Sequence, residues 1–285
     1  MELRNKYKEL WGKLENPSTQ PTHSANVIES EYREFKNKVF EQKDAFVEKI
    51  LQSLYRGDVH ILRNAFEKEV LIRLRQGVFD CRVKTSSEFY KMLEGCPNFH
   101  RIVDGEVAAN YGFKMYRHSF YFFPWNKDPF GLFDRVYDQW SVLKFLGGFK
   151  LDEYVGNTPK DGVIDRIHIM QYPSGLGAGE IHTDPYLNQR VIISIFLSKR
   201  GVDYSSGGFF VIGADNQKID MEPQLEVGDM LIAYPTIPHG VEIVDKDASV
   251  DWNSIKGRWF MGLYSNDTDY KQNRHTNKPV NIPAV

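Results

Sequence analysis

From about residue 163 the chain abandons the three-and-four spacing of helices for short runs of β-branched and aromatic residues. That change of period most narrows what it can fold into. The runs cover 163–172, 190–197, 208–212, 230–234, 240–244 and 257–264, and clusters of Gly, Pro, Asp, Asn and Ser separate them. Such spacing predicts an antiparallel β-sandwich or barrel rather than alternating strand and helix units.

The first part of the chain reads as helix. Ile28, Tyr32, Phe35 and Val39 recur at helical spacing, and Phe46, Ile50 and Leu54 continue after a break near Asp44. Residues 16–24, rich in Pro, Ser and Thr, read as a loop. Asn64 and Glu67 form a candidate reciprocal cap for a helix with Phe66, Val70 and Leu74 as its apolar stripe and Gly77 as its stop. Another helix is expected to begin after Asp128, with Pro129 in its first turn, carrying Phe133, Val136, Tyr137, Trp140 and Leu143 and ending at Gly147-Gly148. The division is therefore a helical support region over 1–110, a β core over 111–265 and a C-terminal tail over 266–285. Within the core, the aromatic run YGFKMYRHSFYFFPWN reads as an outer-sheet strand or as a wall of a substrate pocket.

The 36 basic and 38 acidic residues nearly cancel, so no overall charge favours nucleic acid or a membrane surface. No apolar run is long enough for a membrane span, and the charged N-terminus lacks a signal-peptide core. Two cysteines, Cys81 and Cys96, fit neither a disulfide framework nor a thiolate metal site. The expectation is a soluble, cytoplasmic protein. Its oligomeric state is not encoded in any feature of the chain.

His182 and Asp184 are two residues apart, so on extended backbone they project to the same side. With a distant His, such a pair forms a facial 2-His-1-carboxylate triad, which suits Fe(II) and leaves adjacent coordination positions open. Eight His and twenty Asp make roughly half a His-x-Asp expected by chance, so the pair alone also fits a surface turn.

Its surroundings carry more. IHIMQYPSGLGAGEIHTDP, RVIISIFLS, GGFFV, LEVGDMLIAYPTIPHGVEIV and KGRWFMGLY follow one another in order. Over Asp165–Tyr264 the chain resembles the 2-oxoglutarate and iron(II)-dependent dioxygenase superfamily in its prolyl-hydroxylase-like branch. The resemblance implies a mainly β fold with supporting helices around a double-stranded β-helix, or jelly-roll, core. It implies His182, Asp184 and His239 as iron ligands, Arg258 as the grip on the far carboxylate of 2-oxoglutarate, and Tyr172 as part of that pocket. Read from chemistry alone, Arg258 in an apolar strand needs an anionic partner, either a bound carboxylate or an internal acid. Nineteen positions separate His239 from Arg258, against about ten in many family members. The polar segment DKDASVDWNSIK reads as an inserted loop. Were it otherwise, Lys256 would be the rival anion partner.

The expected reaction is oxidation of an unactivated C–H bond with Fe(II), 2-oxoglutarate and O2, giving succinate and CO2. In halogenating relatives a small residue stands at the carboxylate position, so Asp184 points to hydroxylation, desaturation or cyclisation. The expected substrate is a small organic molecule, an amino acid or natural-product intermediate, with the same chemistry on a protein side chain or a non-catalytic β-barrel as alternatives. Counting back by twos from Tyr172 puts Met170, His168 and Arg166 on one face, so His168 is a candidate substrate contact. Arg117 and His118 are further candidates, with a core histidine or core aromatic the competing reading for each. The helical first third and the loop 245–256 are expected to close the mouth of the pocket.

Overall fold

A computed structural model describes residues 4–82 and 86–281. Among them are thirteen strands, β1 Val27–Glu31, β2 Val59–Arg63, β3 Phe99–Val103, β4 Met115–Phe122, β5 Val163–Pro173, β6 Ala178–Thr183, β7 Ile192–Phe196, β8 Gly208–Ile212, β9 Lys218–Asp220, β10 Met230–Ala233, β11 His239–Glu242, β12 Gly257–Asp267 and β13 Lys278–Pro279. The helices are α1 Lys6–Leu14, α2 Tyr32–Glu41, α3 Asp44–Arg56, α4 Lys68–Arg82, α5 Gly105–Ala108 and α6 Leu132–Leu146. None of these helices is long and apolar enough to cross a membrane.

Two sheets face each other as a jelly roll. The larger runs β3-β4-β5-β12-β7-β10-β2-β1 and the smaller β13-β6-β11-β8-β9, and the first residues of β4 pair with β6 to join them. Every pairing between these strands is antiparallel except β1 with β2. β5 and β12 form the spine, paired without a break from Val163–Asp267 to Pro173–Gly257. Side chains alternate across such a strand. Ile167, Ile169, Trp259, Met261 and Leu263 accordingly enter the main core with the helices, whereas Met170, Tyr172 and Phe260 form a smaller cluster between the sheets.

All six runs read from the sequence are strands, with small shifts at their ends. The later helix starts at Leu132 with Gly131 as its N-cap, so Pro129 precedes it and is not in its first turn. The Asp128 carboxylate accepts from the Phe130 and Phe133 N–H groups, and Gly147 closes the helix. This helix, α6, is pinned to the spine by a buried ion pair between Lys144 and Asp165 at 2.5 Å, to which Ser265 also donates.

The first 110 residues differ from the helical reading. Ile28 lies in β1, not in a helix, because β1 pairs with β2 and β2 continues the large sheet beside β10. The Asn64–Glu67 cap does not form. Asn64 adopts a positive φ of 56°, its side chain donates to Glu31, and α4 starts only at Lys68. Gly77 does not stop α4, which continues to Arg82. A Cβ at Gly77 would meet the ring of Phe130 at 2.9 Å, so glycine there admits a close packing neighbour.

Candidate metal centre and co-substrate pocket

His182 and His239 are direct cross-strand partners in β6 and β11, and Asp184 follows two residues after His182, its N–H bonded to the Pro235 carbonyl at 2.9 Å. One ligand atom from each of the three lies within 4.8 Å of the others. The Asp184 oxygens are 3.9 and 3.8 Å from Nε2 of His182 and His239. A main-chain carbonyl can only accept, so Nδ1 of His182 donates to Glu180 O at 2.8 Å and Nδ1 of His239 to Ile237 O at 2.9 Å. Each ring therefore turns a lone pair at Nε2 toward the centre, the tautomer that a metal requires. Burial holds the His182 imidazole well below its ordinary pKa and so keeps it neutral. Burial also raises the Asp184 carboxyl, opposed by His239 and Arg117. A divalent cation would supply the counter-charge that favours its ionised form. Two imidazoles and one carboxylate, with no thiolate, fit iron(II).

Arg258 stands near the start of β12, opposite Tyr172. It is 2% exposed and ringed by Tyr172, Phe196, Phe209 and Phe260, with 5.1–5.9 Å from guanidinium carbon to ring centre. Its Nε donates to Glu222 at 2.5 Å, so the internal acid considered from sequence exists. Glu222 is itself fixed by the Tyr204 hydroxyl and the Phe209 N–H. The pairing leaves Nη1 of Arg258 buried without a hydrogen-bond partner, a donor free for a second carboxylate. Two glycines make this arrangement possible. Gly208 (φ 117°) lies against the Glu222 side chain, and Gly257 (φ 121°) lies so close to the Tyr172 carbonyl that any Cβ would collide with it. Lys256 is exposed and lines a separate surface groove with the loop 245–256.

The triad and Arg258 line one cavity of about 360 Å³, together with Tyr172, Met170, His168, Arg166 and Arg117. The counting by twos along β5 thus puts these side chains in a common space. His118 is not among them. It is fully buried on the opposite face of β4, bonded to His100 at 2.9 Å, with Trp252 edge-on. Alternation explains the difference: if Arg117 and Tyr121 face the cavity, His118 and Phe120 must face the helices. The loop 245–256 contributes no residue to the cavity lining and closes no mouth there.

Other lining residues lay outside the sequence reading. Phe113 stacks on His182 with ring centres 4.4 Å apart. The C-terminal segment, read as a tail, brings Arg274, Thr276 and Asn277 to the cavity, and the Asn277 amide donates to Asp184. β13 then pairs with β6 beside His182. Phe113 had a weak signal in its aromatic run, whereas the polar segment 266–281 has no periodicity to mark it.

No protein-family model matches the sequence, and no curated protein does. Solved structures match the fold. A C-terminally truncated Neurospora crassa protein in apo form is 12% identical with a TM-score of 0.53, covering 89% of this chain and 97% of its own. A 2OG-Fe(II) oxygenase family protein of Caulobacter crescentus is 12% identical at 0.51, covering 84% and 86%. The full-length form of the Neurospora crassa protein, in complex with alpha-KG and thymine, is 13% identical at 0.50, covering 89% and 88%. The fold is that of the 2-oxoglutarate and iron(II)-dependent oxygenases.

Proposed function

We propose that the protein is an iron(II)- and 2-oxoglutarate-dependent oxygenase that oxidises an unactivated C–H bond of a small organic substrate. One observation carries the reading: a metal-competent His182–Asp184–His239 group shares a cavity with the unpartnered Nη1 of buried Arg258. That pairing matches the two ends of a 2-oxo diacid. The oxo acid end meets the metal and the far carboxylate meets the guanidinium.

His182, Asp184 and His239 hold the iron, and Asn277 orients the carboxylate by donating to it. Arg258 receives the far carboxylate of 2-oxoglutarate, with Glu222 fixing the guanidinium and Tyr172 beside it. When bound, the iron supplies the oxidising chemistry, in which 2-oxoglutarate and O2 become succinate and CO2 as the substrate C–H bond is oxidised. Phe113, Phe209 and Phe260 exclude water from the reacting region. The cavity lies at the small end of the range for ligand sites, about 300–1,000 Å³, and Arg274, Thr276 and Asn277 line it with β13 covering an edge of β6. These features favour a small molecule over a folded protein. His168 and Arg117 are proposed as substrate contacts, and His118 is not.

The test is turnover of small-molecule candidates with Fe(II), 2-oxoglutarate and O2, following oxidised product together with succinate. Coupled formation of both from a small molecule supports the reading. Turnover of peptides or intact proteins alone refutes the substrate class. Absence of succinate, with no metal binding, refutes the chemistry.

A further inference from the structure

Along the spine of β5 and β12, the cavity has two basic ends. Arg258 opposite Tyr172 marks one, and Arg166 opposite Tyr264 marks the other, six residues away on each strand and on the same face. Six residues of extended chain span roughly 20 Å. Arg258 already has an acid, Glu222. Arg166 has none among the described residues: its hydrogen bond goes to the Met92 sulfur at 3.9 Å, and the rings of Tyr121 and Tyr264 flank it at 5.1 and 5.6 Å. Its Nε is buried without any hydrogen-bond partner. The neighbouring guanidinium of Arg117 is also without an acid among the described residues, bonding only to the Tyr172 and Ser119 hydroxyls.

Burying a charge without a counter-charge is costly, and neither ring faces nor a thioether supply one. The carboxylate that does line the cavity, Asp184, belongs to the metal group. Two further polar atoms near Arg166 lack partners, Nε2 of His168 and Oδ1 of Asn266. An acceptor such as Oδ1 calls for a donor from the ligand.

We infer that the substrate is a small carboxylic acid whose carboxylate is held by Arg166, at the end of the cavity opposite the 2-oxoglutarate carboxylate. The inference rests on the proposed function, since it assigns the Arg258 end to the co-substrate. Tyr121 and Tyr264 hold the Arg166 guanidinium between their faces and offer an apolar wall to the body of the acid. Arg117, which lines the same cavity, adds positive potential as a second substrate contact. A neutral molecule of the same shape would leave the Arg166 charge unanswered, so charge is the basis of selection.

The probes are phenylacetate and 3-phenylpropionate, each against its primary amide. They are titrated into the protein loaded with Fe(II) and 2-oxoglutarate under argon, with binding followed by calorimetry. The acids should bind at least ten-fold more tightly than the amides and leave 2-oxoglutarate in place. Arg166→Gln should erase that preference while changing 2-oxoglutarate affinity less than two-fold, and Arg166→Lys should retain part of it. Melting temperatures establish that each variant is folded, and the acid-to-amide ratio on the unaltered protein stands whatever the variants do. Equal binding of acid and amide, no binding of either acid, displacement of 2-oxoglutarate by the acids, or full preference in folded Arg166→Gln would each overturn the inference. If 2-oxoglutarate itself fails to bind while the acids still require Arg166, the proposed function falls and the carboxylate site stands.

Discussion

The hydrogen atoms on the two triad imidazoles decide more than the distances between them. With each Nδ1 committed to a carbonyl, the metal-facing nitrogens are lone pairs before any metal arrives. The triad was legible only through its surroundings, since His-x-Asp alone arises about half a time by chance and the ordered strand motifs around it carried the resemblance. The partner of Arg258 was not, since Glu222 lies 36 residues away and only the fold brings it near. The arrangement predicts that Arg258→Ala weakens 2-oxoglutarate by about 2–5 kcal/mol, roughly 30-fold or more, while metal affinity is largely kept. Lys256→Ala should leave both unchanged, because Lys256 lies outside the cavity. Equilibrium binding of 2-oxoglutarate to the two variants checks this, and the opposite ranking would remove Arg258 from its role. Histidines away from the site predict a pH dependence of stability. Burial holds His60 at about 4 and, with help from His100 and Arg82, His118 at about 3, against about 6.5 in the unfolded chain. Between these values the unfolded chain binds more protons, so stability should fall as pH drops from 6.5 toward 4, by about 1.4 kcal/mol per pH unit for each group once below 6.5. Urea unfolding at pH 7 and pH 5 measures the slope. His60→Gln should reduce it, and an unchanged slope would exclude His60 as a contributor.

Among the elements, β4 and the C-terminal segment mark where sequence reading succeeded and failed. The period-two rule correctly grouped Arg166, His168, Met170 and Tyr172 because β5 is long and regular. The same rule divides neighbours in β4: Arg117 and His118, adjacent in sequence, cannot share a face, and His118 packs against His100 instead. β1 and β2 escaped detection because they are five residues each and flanked by strong helical patterns. The loop 245–256 was legible from its polarity. Its position was not, because a loop's docking is set by the surface it meets. The segment 268–281 had no apolar period, yet Asn277 binds the metal-group carboxylate. Outer contacts of this kind typically contribute about 10–100-fold in metal affinity. Asn277→Ala should therefore raise the dissociation constant for Mn(II), used as a redox-stable surrogate, by about that factor without lowering the melting temperature of the metal-free protein appreciably. Titration followed by electron paramagnetic resonance reads the free ion. An unchanged constant would mean that Asp184 needs no support from this segment.

At the scale of the whole molecule, the helices and the large sheet form one apolar core on the outer side of the spine, leaving the inner side to a smaller cluster and the polar cavity. Folding stability and chemistry are thereby separated onto opposite faces of the same two strands. Lys144–Asp165 lies on the helix side and Arg258–Glu222 on the cavity side, so β5 and β12 are held from both directions. The fold class was readable because turn residues and β-rich runs alternate over more than one hundred residues, a pattern few other folds produce. The joining of the N-terminal region to the large sheet was not readable, because it depends on β2 meeting β10 across 168 residues of chain. The proposed function requires this architecture to couple iron chemistry to 2-oxoglutarate. The most direct measurement is succinate released from 2-oxoglutarate under air by the purified protein, with and without Fe(II), beside His182→Ala and His239→Ala. Succinate is expected only when Fe(II) and an intact triad are both present, with metal binding and turnover lost together in either variant. Succinate formation that survives loss of His182 or His239, or none from the intact protein across the small carboxylic acids tried, with no metal bound, would contradict it.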